Sequence, residues 1–309
     1  MKKTIFGITL LLSMLVILSA CSPAAAPQAP SAAITIKDGL GRSISLANPP
    51  KKIVSLAPSN TEILFAIGAG PQMAARDDFS DTPNEAKQLP SVGSWMGKYN
   101  METLASLQPD LVLASSLNTE QQVKAIEDLK ITVFYLENPK DIEGVYTNIK
   151  TVGTLTGHDK EAAQVVANLQ ARVKKVLDVL AKDNTQPKVY YELDGTDPSK
   201  PWTAGPGSFM DQIIKTAGAL NAGANLPSQW AQISLEELLV QNPDIIILGD
   251  ANFGTTIDQV VARPGWDQLK AIKDNKIITF DDNLVSRPGP RIVDGFEQLA
   301  KILHPELFK

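Results

Sequence analysis

Apolar and polar positions along this chain change period repeatedly, and the changes mark out its elements. Residues 34–38 and 42–46 alternate around Gly39 and Gly41, which predicts a short hairpin. Residues 52–56 predict a strand that stops at Pro58. Ser59 or Asn60 then stands where it can cap a helix over 61–67, closed by Gly68 and Gly70. Helical spacing covers 101–107, and a run over 111–114 is apolar on both faces. A helix over 119–130 and a strand over 132–136 follow. Strands with continuous apolar runs, alternating with helices, predict an α/β fold built on mainly parallel sheet with helices on both faces.

A helix over 141–155 halts at Gly157, and His158 or Asp159 opens a long one. Between 160 and 182 apolar residues recur at Ala163, Val166, Leu169, Val173, Val176, Leu177 and Leu180, which is helical spacing. About 23 residues make roughly 35 Å of helix, close to the width of a small domain. We read it as the connector between two lobes; the alternative is a surface helix within one lobe. No Pro or Gly interrupts 159–182, so it resists bending, and only a small opening and closing motion is expected. After Pro187 the order of elements starts again. A strand over 188–193 is followed by helices over 208–217 and 235–240, then a buried strand over 245–248. Short helices at 260–262 and 266–272, a strand over 277–280 and a closing helix over 291–303 complete it. The expected fold is two similar lobes, each a mainly parallel sheet flanked by helices, joined by one long α-helix. The expected boundaries are 34–157, 158–183 and 184–309.

One phrase occurs twice. Residues 102–113 read E-T-L-A-S-L-Q-P-D-L-V-L and residues 236–247 read E-E-L-L-V-Q-N-P-D-I-I-I. In each copy a Glu (Glu102, Glu236) stands seven residues before a Pro-Asp pair. A Trp precedes each Glu, Trp95 by seven and Trp230 by six. Self-similarity at this distance fits two related lobes, not a short-period solenoid.

The N-terminus has another character. Lys2 and Lys3 precede an apolar run over 4–18, shorter than the ~20 residues of a spanning helix. Small residues then lead to Cys21, so residues 1–20 read as a secretory signal. Cys21 is the only cysteine and cannot form an internal disulfide. Leu18-Ser19-Ala20-Cys21 resembles the bacterial lipobox, which implies lipidation of Cys21; an incidental cysteine in a discarded peptide is the alternative. The lipid would hold the protein at a membrane without a spanning segment. Residues 21–33 are small, Pro-rich and uncharged, and read as a flexible tether. Loss of the two leader lysines leaves 27 basic against 34 acidic residues, a net charge of −7. That balance argues against nucleic acid and against a basic lipid-binding patch.

Catalytic chemistry is sparse. The two histidines, His158 and His304, are not spaced for a metal and read as surface residues. No nucleophile elbow, phosphate-binding loop or zinc-protease motif is present. Gly205-Pro206-Gly207-Ser208 precedes a helix and could face an anion, though a plain turn is the simpler reading. The Asp77–Asp78 and Asp281–Asp282 pairs fall near loops. No metal, no cofactor and no enzymatic activity are expected.

Three of the four tryptophans, Trp95, Trp202 and Trp230, fall between predicted elements, as does Phe79. Loops beyond strand ends are where open parallel sheets bind ligands. Ser80, Asp81, Ser94, Thr203, Gln229, Asp282 and Asn283 supply hydrogen-bonding groups beside these aromatics. The mixture suits a large, flat, amide-decorated ligand better than a small ion. The alternative is that the aromatics pack their own loops.

At these residues the chain resembles the class III substrate-binding proteins of ABC importers, above all the cobalamin-binding branch, over nearly all of 50–305. The segments that carry the likeness are I-V-S-L-A-P-S-N-T-E-I-L-F-A-I-G-A-G, D-F-S-D-T-P, S-W-M-G, P-W-T-A-G, Q-W-A-Q-I-S-L-E and R-P-G-P-R-I. The resemblance implies a ligand set of Phe79, Ser80, Asp81, Trp95, Trp202, Thr203, Trp230, Asp282, Asn283 and Arg287. It also implies that Glu102 and Glu236, one per lobe, dock onto arginines of a permease dimer with its ATPase. Thr82 replaces an aromatic of the cobalamin pattern, and the 283–286 loop lacks an expected Trp. The expectation is an exported, monomeric, lipid-anchored protein facing the periplasm or cell exterior that binds cobalamin. Ferric-siderophore or haem binding, with Arg287 toward a ferric chelate, is the second reading, and an exported two-lobe enzyme or adhesin the third.

Overall fold

The computed structural model describes residues 33–309; the leader, Cys21 and the tether as far as residue 32 lie outside the described residues. The chain opens with an antiparallel hairpin, β1 (Ile34–Lys37) and β2 (Ser43–Leu46). Buried Asp38 organises its turn by accepting from the backbone N–H groups of Leu40 and Arg42 and from the Arg42 guanidinium.

The first lobe contains β3 (Ile53–Ser55), α1 (Pro58–Ala66), β4 (Met73–Arg76), α2 (Met101–Leu107), β5 (Leu111–Ser115), α3 (Glu120–Asp128) and β6 (Val133–Leu136). Its sheet has the order β4-β3-β5-β6, and all pairs are parallel. The start of α1 departs from expectation. Pro58 occupies its first turn, where a missing N–H costs nothing, and Ala57 precedes it with no side-chain cap. Asn60 and Thr61 are spent elsewhere: Asn60 Nδ2 donates to the Leu113 and Ala114 carbonyls, and Thr61 Oγ1 lies 2.8 Å from both Ser55 Oγ and Ser80 Oγ. These bonds pin the helix start to the carboxyl end of the sheet.

Two packed helices follow, α4 (Ile142–Thr156) and α5 (Asp159–Leu180), separated by Gly157 in the left-handed region at φ 79°. The second lobe contains β7 (Lys188–Asp194), β8 (Trp202–Ala204), α6 (Phe209–Thr216), β9 (Leu220–Asn221), β10 (Trp230–Gln232), α7 (Leu235–Gln241), β11 (Ile245–Leu248), α8 (Ile257–Val261), α9 (Lys270–Lys273), β12 (Ile277–Thr279), α10 (Asn283–Ser286) and α11 (Ile292–Leu303). Strands β9, β7, β11 and β12 are parallel and reproduce the order of the first sheet; β8 and β10 add an antiparallel extension on β7.

Alternation along the strands distributes the core. Ile53, Leu111, Leu113, Val189, Ile245 and Ile247 enter one continuous apolar body that α4, α5 and α11 complete. Val54, Val112 and Ala114 point to a separate cluster on the outer face of the first sheet, and Tyr190, Ile246 and Leu248 to one on the second. The long helix is therefore no free rod. It is tied to the second lobe by Arg172, whose guanidinium donates to Asp294 and Glu297 of α11 at 2.5–2.9 Å. Among the described residues no helix is long and apolar enough to cross a membrane.

Candidate functional site

A groove of about 590 Å³ lies between the lobes at the carboxyl ends of their central strands. The first lobe contributes the apolar side chains of Phe79, Trp95, Met96 and Leu117, with Pro58, Ser59, Ser115 and Asn138 beside them. Phe79 and Trp95 face each other with ring centroids 6.3 Å apart and planes tilted by 45°. The second lobe contributes hydrogen-bonding groups, Asn252, Asp282, Asn283, Ser286 and Arg287, with Phe253 as its apolar member.

Local bonding sets each of these side chains. Trp95 stands at the tip of a tight loop whose base is Gly93, at φ 90°. A Cβ on Gly93 would sit 2.3 Å from the Lys98 carbonyl, so only glycine closes this loop. Tyr99 follows the loop, and its buried hydroxyl, pushed up to about 12 by desolvation, accepts from Asn118 Nδ2 at 2.6 Å. Phe79 is aimed by the buried carboxylate of Asp77, which accepts from the Phe79 N–H and the Ser80 hydroxyl. Burial pushes Asp77 upward, against those bonds. Asp282 accepts from Tyr191 Oη at 2.7 Å, and its burial also pushes it upward. Asn283 is held by Asp281, which accepts from its N–H and side-chain amide and from Asn252.

The structure divides the expected ligand set. Phe79, Trp95, Asp282, Asn283 and Arg287 line the groove together. Ser80 and Thr203 do not, because both are fully buried. The Ser80 hydroxyl is consumed by Asp77 and Thr61, and Thr203 Oγ1 donates to the Tyr191 carbonyl at 2.7 Å. Asp81 is not among the lining residues either; its Oδ1 accepts from Arg287 Nη1 at 2.6 Å. Trp202 and Trp230 are not in loops: they lie on β8 and β10, paired so that Gln232 faces Trp202 and Ala204 faces Trp230. Both rings stay exposed, and neither lines the groove. Pairing of β8 on β7 and of β10 on β8 carries them to the antiparallel end of the second sheet, a contact that local sequence does not announce.

Other expectations change as well. His304 is buried, with Nε2 3.0 Å from the Ala217 carbonyl. The glycine loop before α6 is a turn whose anion is internal: the Gly207 N–H donates to Asp211 Oδ2 at 3.0 Å. No group of three or more potential metal ligands clusters among the described residues. Sequence reasoning missed Met96, Leu117, Asn252 and Phe253. Leu117 and the 252–253 pair follow the apolar runs of β5 and β11, so the strand-end rule would have found them.

Glu102 and Glu236 are exposed at the second position of α2 and α7. The caps match. Asn100 Oδ1 accepts from Thr103 N–H and Ser234 Oγ from Glu237 N–H, at 3.0 and 3.1 Å. Both helices end on a left-handed residue, Gln108 at φ 47° and Asn242 at φ 42°.

Comparison with known proteins agrees with this geometry. Residues 53–284 match the family model described as periplasmic binding protein. The ABC transporter substrate-binding lipoprotein YvrC of Bacillus subtilis is 33% identical over 89% of this chain and 87% of its own length. A cobalamin-binding protein of Halobacterium salinarum is 28% identical over 98% of this chain and 86% of its own. The crystal structure of a possible iron-binding, periplasmic solute-binding protein from Staphylococcus epidermidis superimposes with a TM-score of 0.74. It is 29% identical and covers 83% of this chain and all of that one. Twin parallel sheets, a groove between them and these likenesses converge: the chain belongs to the periplasmic binding protein family, among the substrate-binding proteins of ABC importers.

Proposed function

We propose that this protein is exported, held at the membrane by a lipid on Cys21, and captures a corrinoid in the inter-lobe groove for delivery to an importer. The observation that carries the reading is the division of the groove walls. The first lobe leads with aromatic and thioether surface, Phe79, Trp95 and Met96, and adds Ser59, Ser115 and Asn138; the second leads with Asn252, Asp282, Asn283 and Arg287 and adds Phe253. That suits a broad ligand with an apolar face and a rim of amides. Among the described residues, those that line the groove include no Tyr, His or Cys, and Met96 is their one soft donor. A ligand whose metal already has its full coordination fits such a lining better than one that needs an axial ligand from the protein. The cobalamin-binding relative supports the same direction.

Glu102 and Glu236 are the docking carboxylates in this reading. Each is exposed, and each sits in the same place on its lobe. Two matched acidic points on a pseudo-twofold protein suit a twofold permease. Iron-chelate or haem binding is the second reading, favoured by Arg287 in the groove and by the iron-binding description of the Staphylococcus structure. The test is optical. The purified protein is mixed with cobalamin, haem and ferric chelates, desalted and scanned. One retained equivalent of cobalamin supports the reading; retention of an iron ligand alone replaces it with the second.

A further inference from the structure

Among the described residues Arg287 is the only cation that lines the groove, and carboxylates surround it. Its Nη1 donates to Asp81 Oδ1 at 2.6 Å, a bond that crosses from one lobe to the other across 206 residues of sequence. Asp282 lines the groove beside it, and Asp282 and Glu62 both feel its charge. Glu62 has its own partner in Arg291, at 2.6 Å. Within this set Arg287 is matched by Asp81, and Asp282 is an acceptor held by Tyr191. The guanidinium side chain is 16% exposed and that of Asp81 50%. The carboxylate is thus the more solvent-exposed partner of the pair.

A bare guanidinium in a groove attracts carboxylates and phosphates. One already paired with a carboxylate presents almost no net charge, and an anion approaching it also meets the negative partner. Its remaining N–H groups still donate to uncharged carbonyls. We propose that Asp81 is a specificity-determining residue: by engaging Arg287 from the other lobe it offsets the one cation among the described lining residues and turns the groove toward neutral, amide-bearing ligands and away from anionic ones. The inference builds on the reading of the groove as the ligand site. It assigns Asp81 a role as a charge filter, not as a direct ligand contact.

The test uses the full chain and two probes, cyanocobalamin as the amide-bearing ligand and haem as the carboxylate-bearing one, each titrated by absorbance. In Asp81→Asn, haem affinity should rise about tenfold at low ionic strength, which corresponds to about 1.4 kcal/mol. Cobalamin affinity should change by less than about threefold, well under that step. The gain should shrink as salt is added. Asp81→Glu should keep the original selectivity, Asp81→Ser should repeat the asparagine result, and adding Arg287→Gln to Asp81→Asn should abolish the gain. Haem affinity that stays unchanged or undetectable in both Asp81→Asn and Asp81→Ser overturns the proposal, as does a gain that survives loss of Arg287. Should the original protein bind no cobalamin while the haem gain appears, the corrinoid reading falls and the charge filter stands.

Discussion

Asp110 and Asp244 do the same work in different lobes. The Asp110 N–H donates to the Lys52 carbonyl and its Oδ2 accepts from the Lys52 N–H at 2.9 Å. The Asp244 N–H donates to the Lys188 carbonyl and its Oδ2 accepts from the Lys188 N–H at 2.8 Å. Each aspartate thereby clamps the entry of its lobe's first central strand to the entry of the second. The clamp fixes where the preceding helix ends, and so where Glu102 and Glu236 project.

Reversing both projecting charges tests docking. Glu102→Lys with Glu236→Lys should abolish ligand uptake in cells and leave ligand affinity of the purified protein unchanged within about twofold, because neither side chain lines the groove. Uptake that survives the double reversal removes these two residues from the interface.

The groove wall and the sheet edge should separate cleanly in an alanine comparison. Trp95→Ala removes a ring that lines the groove and should weaken ligand binding by about 2 kcal/mol, roughly 30-fold. Trp202→Ala removes an exposed ring outside the lining and should leave affinity within about twofold, a difference under 0.5 kcal/mol. Equal losses at the two positions would show that the ligand reaches the β8–β10 edge.

Closure should be small. Helix α5 shares one apolar body with both lobes, and Arg172 ties it to Asp294 and Glu297. Bending it must break backbone hydrogen bonds with no Pro or Gly to absorb the change. Small-angle scattering with and without ligand should give nearly the same radius of gyration. A large contraction on binding contradicts the braced arrangement.

A buried ion pair offers a stability test. Arg263 donates both Nη atoms to Glu192, at 2.6 and 2.8 Å, and its guanidinium lies 4.5 Å from the centre of the Trp266 ring. Arg263→Met leaves Glu192 buried without its partner and should cost about 3–5 kcal/mol. Urea denaturation checks it, and Glu192→Gln in the same chain should recover part of the loss.

Acid should act in two stages. Burial pushes Glu62, Asp77, Glu192 and Asp282 above their ordinary values, 4.5 for Glu and 3.8 for Asp. A raised carboxyl binds its proton more readily in the folded state, so its contribution is complete below the unfolded value and is lost as pH rises through the folded one. Asp211 and Asp244 shift the other way: burial opposes their ionisation, but hydrogen bonds from Lys215 and Lys270 respectively lead the groups that outweigh it. Their contribution is lost as pH falls below 3.8. The melting temperature should therefore hold or rise on acidification from neutrality toward 4.5 and drop once pH passes below 3.8. A steady decline from neutrality downward contradicts these shifts.

Much of the architecture is legible in the amino-acid sequence. The apolar runs at 111–114 and 245–248 are strands, the 160–182 pattern is helix, and the doubled Glu–Pro–Asp phrase marks twin substructures. These follow from periods of two and 3.6 and from turn residues, which act over a few positions. The short peripheral strands were not legible. Met73–Arg76, Trp202–Ala204 and Trp230–Gln232 are four residues or fewer and acquire their state from partners already in the sheet.

By itself the chain determined the order of its elements, their twofold repetition and the residue types available at the strand ends, because those depend on local spacing and composition. Tertiary structure alone decided which side chains share the groove. It buried Ser80 and Thr203, carried Trp202 and Trp230 into the antiparallel end of a sheet, brought Phe253 into one groove with Trp95, and joined Asp81 to Arg287. The reason is physical: a residue's propensity reflects its immediate neighbours, whereas the direction and partners of a side chain are set by packing between segments far apart in sequence.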